Sequence, residues 1–391
     1  MATRSEILAK AASLRALFEA QGAAVVEPPI LQPAETLLDL YGEDIRARAY
    51  VTSDAMRGEQ MLRPDYTLPV VQMHMAHGAD PARYTYAGEV FRRQERDPNR
   101  ANEYIQAGYE VFDRGDPAAA DAEVFALIHG ALDGLPVTAV TGDIGILMAA
   151  VAGLDTSASR KAALMRHIWR PRRFRALLDR YAGKTPMPAS RAALLANDGA
   201  ITAPLIGLRS LDEIETRIAA LRADAAEPAL SRTQVSLLLA LLDVRETMPN
   251  AISQLHDLAV DMPAISDAVD RVAAREKALA ARGVDTENLM FEASFGRVSM
   301  EYYDGFVFGF RAATRPDLPT IATGGRYDAL TRRLGQGGEI PAVGGVNTTT
   351  LAPAPGKNAL DLGQVLVNER VLREITFVNR GEISYDFAWD A

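Results

Sequence analysis

Residues 104–112, YIQAGYEVF, alternate in character as a β-strand does. Tyr104, Gln106, Gly108, Glu110 and Phe112 then share one face, and Ile105, Ala107, Tyr109 and Val111 take the other. The second set reads as core. The first is a polar row interrupted by a glycine, which predicts room above Gly108 for something other than a side chain. Two further stretches offer groups of the same kind. LRPDYT, 62–67, places Asp65 and Thr67 on one face of an extended segment, and MEYYDG, 300–305, gives two tyrosines, Tyr302 and Tyr303, pointing opposite ways. Arg92 stands in the charged stretch before the row. Each stretch alone fits a sheet face turned to water. Together they supply carboxylate, amide, hydroxyl, guanidinium and phenol. That set suits a zwitterionic amino acid: carboxylates for its ammonium, arginine for its carboxylate, and Glu with Tyr for a polar ring.

Other chemistries fail on spacing. Gly183-Lys184-Thr185 lacks the first glycine of a phosphate-binding loop, because Leu178 occupies that position. No GxSxG is present, and no GxGxxG opens a helix after a strand. His74 and His77 sit three apart on an expected helix without a neighbouring HExxH-type carboxylate, so a packed or surface pair is expected there rather than a metal, and no cofactor is expected anywhere. The stretch RKAALMRHIWRPRRFRALLDRYAGK, 160–184, carries nine Lys/Arg against one acid, Asp179. It reads either as a solvated helix pair broken at Pro171, with Trp169 and Phe174 turned inward, or as a patch for phosphates or a partner's acidic surface.

The elements that must position these groups follow from periodicity. Residues 5–21 predict a helix behind a serine cap, stopped by Gly22. Strand, loop and strand follow over 49–67, and PVVQMHMAH opens a helix behind Pro69. RYTYAGEVFRRQERDPNRANEYIQAGYEVFD predicts two strands joined by a charged loop, hence an antiparallel pair, and a helix over 118–133 closes this half. From about 144 to 285 the pattern is almost wholly helical, and strand character returns over 288–314 and around PTIATGGRYDALTRRLG. This layout predicts an α+β fold, an antiparallel sheet flanked by helices and interrupted by a helical insertion. TTTLAPAPGKNALD, 348–361, reads as loop, and REITFVNRGEISYDF as a hairpin turning at Asn379–Gly381.

Composition bounds the rest. The 391 residues are 48% hydrophobic and 24% charged, which allows a large core and two or three domains. The net charge of −9 disfavours a generic polyanion binder and a polybasic membrane anchor. With no cysteine, disulfides, thiolate nucleophiles and Cys-type zinc sites are excluded. MATRSEILAK has no apolar core of the kind a signal peptide needs, and the longest apolar run, VSLLLALL, is too short to span a bilayer. A cytoplasmic protein without a membrane association is the expectation.

Taken in order, these segments resemble the catalytic domain of histidyl-tRNA synthetase, a class II fold. Phe91-Arg92 resembles the second class II motif, LRPDYT is similar to that enzyme's LRPEGT, and YIQAGYE to its F-H-Q-x-G-x-E. MEYYDGFVF is similar to LDYYTGxVF, and ATGGRYDAL to GGRYDGL. The resemblance spans about residues 10–345. It implies that Asp65, Thr67 and Gln106 meet the α-ammonium of histidine, that Glu110 and Tyr303 meet its imidazole, and that Arg92 lies near its carboxylate.

The departures are as informative. PAVGGVNTTTLAPAP contains no arginine where the third class II motif supplies one for ATP. FRxE becomes FRRQ, with Gln94 in place of the glutamate, and Val298 stands where an arginine precedes the tyrosine pair, with Arg297 one residue earlier. Lost cations at a triphosphate remove transition-state stabilisation, so no catalytic residue is assigned. The 46 residues after position 345 are too few for an anticodon-binding domain, and no tRNA partner is expected. The combination resembles the regulatory subunits of ATP phosphoribosyltransferase, which work in a hetero-oligomer with a short-form catalytic subunit in histidine biosynthesis. That resemblance implies a non-catalytic regulatory role, L-histidine as effector and self-association as a dimer. A divergent histidyl-tRNA synthetase and a stand-alone histidine-binding protein are the alternatives. The expected organisation is a core over 1–345 that includes the helical block, followed by a tail over 346–391.

Overall fold

The computed structural model describes residues 3–94, 101–197, 201, 207–297, 302–314, 320–335 and 338–350. The chain divides into two compact units, residues 1–138 with 309–391, and residues 139–308.

The first unit opens with α1, Arg4–Glu19. Its cap is Thr3, whose hydroxyl accepts the Glu6 N–H, rather than the expected serine: Ser5 already lies inside the helix. Gly22, at φ +90°, turns the chain out of it. Then come β1 (Ala24–Val25), β2 (Leu31–Pro33), α2 (Ala34–Tyr41), β3 (Val51–Asp54), β4 (Gly58–Leu62), α3 (Thr67–His77), β5 (Ala82–Phe91), β6 (Glu103–Phe112) and α4 (Pro117–Gly130). β2, β4 and β3 form a small antiparallel sheet. The expected antiparallel pair is present as β5 and β6, with Tyr86 opposite Gly108 and Tyr84 opposite Glu110.

The chain enters the second unit within β7 (Val137–Asp143). That unit holds α5 (Ile144–Ala152), α6 (Ala158–Met165), α7 (Pro171–Tyr181), α8 (Ala189–Ala196), α9 (Leu211–Ala226), α10 (Arg232–Asp243), β8 (Arg245–Thr247), α11 (Met248–Asp261), α12 (Ser266–Ala281) and β9 (Met290–Glu292). β9 pairs parallel with β7 and antiparallel with β8. Asp143 caps α5 through the Gly145 N–H and pairs with Arg275 at 3.0 Å, both side chains almost fully buried.

The chain returns to the first unit within β10 (Phe306–Ala312), followed by β11 (Ala322–Arg326), α13 (Asp328–Leu334) and β12 (Ala342–Thr350). In that unit the strand order is β1-β5-β6-β12-β11-β10. Thr348, Thr349 and Thr350 are therefore strand, not the loop that the sequence suggests. They pair with Gln106, Ile105 and Tyr104, as β-branched residues on a pleated surface favour. The hairpin expected at 379–381 lies outside the described residues.

α1 covers the back of this sheet. Ile7 and Ala11 pack on Ile105 and Ala107, and the Phe18 ring meets that of Tyr109 at 5.7 Å between centroids. The face of β6 expected to be core is core. α4 lies on the same side and is tied down by charge: Arg83 forks onto Glu123, and Arg326 donates to Asp121 at 2.6 Å and 3.0 Å and to Asp328 at 3.0 Å. Arg326 and Asp121 are both buried. Replacing Arg326 with Leu leaves the Asp121 carboxylate without this guanidinium and is expected to cost about 3–5 kcal/mol of folding stability, measurable as a lowered urea midpoint.

His74 and His77 do lie on α3. His74 is buried, stacked on Phe112 at 3.9 Å and hydrogen-bonded to Tyr84, while His77 is exposed. No group of three or more His, Cys, Asp or Glu poised for a metal occurs among the described residues, and no described helix is long and apolar enough to cross a membrane.

Candidate functional site

The centre of the polar face is Glu110, in the middle of a sheet and 1% exposed. Its Oε1 accepts from the Thr67 hydroxyl at 2.9 Å and the Tyr86 hydroxyl at 3.2 Å, and its Oε2 accepts from the Tyr327 hydroxyl at 3.0 Å. Strand β5, the start of α3 and the residue between β11 and α13 thus converge on one carboxyl group of β6. Burial pushes its pKa up to about 7, against the pull of the three hydroxyls toward the ionised form. The carboxylate rests over Gly344, its partner across β12: a β-carbon built there would lie 1.2 Å from Oε2.

Gln106, two residues along the same face, is also 1% exposed. Its amide donates to the Thr348 hydroxyl at 3.2 Å, while its carbonyl oxygen is buried with no hydrogen-bond partner among the described residues. An orphaned buried acceptor is uncommon and costly. Here it leaves an acceptor ready for a ligand N–H.

Asp65 and Thr67 are not strand residues as expected. β4 stops at Leu62, the chain bends through Pro64, and Thr67 is the first residue of α3. Both are buried nonetheless. Asp65 accepts the Leu68 N–H, and burial raises its carboxyl pKa, opposed chiefly by the Arg92 guanidinium. Arg92 donates to the Pro64 carbonyl at 2.8 Å and lies 5.6 Å from the Tyr104 ring centre. Asp65, Thr67, Arg92, Gln106 and Glu110 therefore all belong to the first unit. Tyr303 belongs to the second, where it is buried, its ring edge-on to Tyr302 and its carbonyl accepting the Trp169 indole N–H. Tyr302 and Tyr303 precede β10 and are not strand residues.

One expectation is overturned. The place above Gly108 is not open, because the Tyr86 ring fills it: a β-carbon on Gly108 would lie 2.4 Å from that phenol. Tyr86 in turn stacks flat on Tyr66, with centroids 4.2 Å apart, and the Arg63 guanidinium lies 3.9 Å from the Tyr66 ring centre. Gly88 makes room for the Tyr66 hydroxyl, which would sit 2.1 Å from a β-carbon there. Tyr66, Tyr86, Tyr327 and Gly344 escaped the sequence reading as site residues. The signal for Tyr86 was available only through register, since it is Gly108's cross-strand neighbour.

The arrangement offers one carboxylate held by three hydroxyls, a second carboxylate beside an arginine, and an unfilled amide carbonyl. It can hold cations and N–H donors.

Comparison with known proteins agrees. The family Histidyl-tRNA synthetase matches residues 3–223 and 211–347. The ATP phosphoribosyltransferase regulatory subunit of Brucella anthropi is 32% identical over 358 residues, 85% of this chain and 93% of its own, and that of Brucella canis is 32% identical over 354 residues with the same coverage. This chain belongs to the ATP phosphoribosyltransferase regulatory subunit family. Membership makes it a regulatory, non-catalytic member of the histidyl-tRNA synthetase-like group. The fold agrees too. An ATP phosphoribosyltransferase regulatory subunit/histidyl-tRNA synthetase from Bacillus halodurans superposes with a TM-score of 0.61 at 21% identity, covering 88% of this chain and 76% of that one. Histidyl-tRNA synthetase from Nostoc sp. PCC 7120 gives 0.60 at 16% identity, covering 89% and 70%. β12, AVGGVNTTT, contains no arginine.

Proposed function

We propose that the Glu110-centred face binds L-histidine, and that the chain acts with a short-form ATP phosphoribosyltransferase catalytic subunit in the first step of histidine biosynthesis, conveying feedback inhibition by histidine. The observation that carries this reading is the buried, unpartnered carbonyl of Gln106 on the same strand face as Glu110. In this reading Asp65, Thr67 and Gln106 receive the α-ammonium, Glu110 holds the imidazole, and Arg92 meets the carboxylate. Each charge-assisted bond contributes about 1.5–3 kcal/mol before desolvation and ordering are subtracted, which is consistent with micromolar affinity. The chain works in the cytoplasm as a dimer within a hetero-oligomer, and residues 144–285 act as an insertion in the synthetase-like core. Inhibition follows if histidine prefers one state of the complex, since only a difference in affinity between states can shift it.

Titration calorimetry of the purified chain with L-histidine is expected to give saturable, micromolar binding, and a flat trace at millimolar histidine would overturn the site. Mixing the chain with a short catalytic subunit is expected to restore phosphoribosyl transfer, and histidine to suppress it. Histidine-dependent pyrophosphate exchange with ATP is expected to be absent; its presence would make the chain a divergent synthetase instead.

A further inference from the structure

We propose that the start of α7, with Arg166, His167, Arg173 and the buried Arg297, is a binding site for a phosphate group. This site lies wholly in the second unit and does not depend on the histidine reading.

The basic stretch that the proposed function leaves unused sorts into two classes. Arg160 and Arg180 pair with Asp224, Arg175 and Lys184 pair with Asp179, and Lys161 donates to the Ala152 carbonyl. These cations are engaged inside the unit, all but Lys161 by a carboxylate. Arg166, Arg172 and Arg173 are exposed, and no ion pair is recorded for them among the described residues. α7 begins at Pro171, which has no N–H, and Arg170 contributes no capping side chain, so the amides of Arg172 and Arg173 present the positive end of an eleven-residue helix without a side-chain cap.

Two buried donors mark this place as built for a ligand. Arg297 is 4% exposed. Its Nε donates to the Ile168 carbonyl at 2.9 Å and its guanidinium lies 4.8 Å from the ring centre of Phe174, in the first turns of α7, yet its Nη2 is buried with no hydrogen-bond partner among the described residues. Burial alone brings its pKa down to about 10. A buried guanidinium nitrogen left without a partner is costly and is seldom left so. The second group is His167, next to Ile168 in the chain, whose Nδ1 is likewise buried and unpartnered among the described residues, and which donates in its Nδ1–H tautomer or as the imidazolium. Burial first, then Arg170, Arg173 and Arg166, push the imidazole pKa down, so three guanidinia bear on that ring. Helix amides, guanidinia and an imidazole together offer more donors than the two oxygens of a carboxylate accept, and a phosphate, with its extra terminal oxygens, fits them.

The test is titration of the full chain with pyrophosphate, ADP and adenosine. Pyrophosphate and ADP are expected to bind and adenosine not. ADP binding more tightly would name a nucleotide as the source of the phosphate and equal affinity a free phosphate; either outcome upholds the site. The double variant Arg166→Ala, Arg173→Ala, which alters only exposed side chains, is expected to weaken pyrophosphate binding about tenfold or more. Arg57→Ala, an exposed arginine paired with Asp54 in the first unit, is expected to leave it unchanged. The His167 imidazole pKa, followed by NMR, should rise when pyrophosphate binds, because a nearby anion favours the imidazolium. No binding at millimolar pyrophosphate, equal binding by the double variant, or an unmoved His167 titration would each overturn the proposal.

Discussion

Glu110→Gln is expected to make the protein more stable above pH 7 and unable to hold histidine. The substitution keeps shape and volume while removing the charge. In the folded chain the Glu110 carboxyl titrates at about 7, against an ordinary value of 4.5. A raised acid pKa means that the folded state holds a proton which the unfolded state has released between those two values. Stability therefore falls as pH rises through that window, and by pH 8 the full penalty is present. The shift corresponds to about 3 kcal/mol. Gln carries no such penalty, so wild type and variant are expected to differ little near pH 4.5 and by about 3 kcal/mol at pH 8, with the variant the more stable. Denaturation at the two pH values checks this. Histidine affinity should meanwhile fall by about a hundredfold, the loss expected when a charged acceptor is removed from a buried pairing. A variant that still binds histidine as wild type does would remove Glu110 from the site whatever its effect on stability.

Gly344→Ala should do the opposite to stability and the same to binding. A β-carbon at 344 would occupy the position of Glu110 Oε2, so the carboxylate must swing away and at least one of its hydroxyl partners is lost. Overpacking in a rigid interior typically costs 1–3 kcal/mol, and about 1 kcal/mol more is expected for each buried hydroxyl left without its acceptor. A melting temperature lowered by several degrees, together with absent histidine binding, is the expected outcome. Gly345→Ala, on the opposite face of the same strand, is the control for any general effect of substitution in β12, and it should leave binding intact.

The sequence made the polar row legible because strand alternation is strict: Gln106 and Glu110 share a face, and Ile105, Ala107 and Tyr109 do pack under α1. What it could not show was anything that depends on register between strands. Gly108 reads as an opening until β5 is set beside β6 and Tyr86 comes to rest over it. Gly344 draws notice only as part of a motif that lacks its arginine, whereas its contribution is to yield space to a residue more than two hundred positions away. Local errors had local causes. Strand alternation sets Asp65 and Thr67 on one face, but the strand stops before Pro64; Thr348–Thr350 follow a glycine pair and precede prolines, which reads as loop, while their β-branching fits the strand they form.

Gly88, Gly108 and Gly344 form a pattern whose consequence reaches the design of altered specificity. Each surrenders its own side-chain space to a tip from elsewhere, respectively the Tyr66 hydroxyl, the Tyr86 ring and the Glu110 carboxylate. At these three positions the proposed cradle is bare main chain, with no side chain of its own to shorten. A bulkier guest cannot be admitted by whittling residues beneath it. Retargeting this scaffold has to begin with the tyrosines that lean over the floor, and Tyr86, which touches both the floor and Glu110, is the first to shorten.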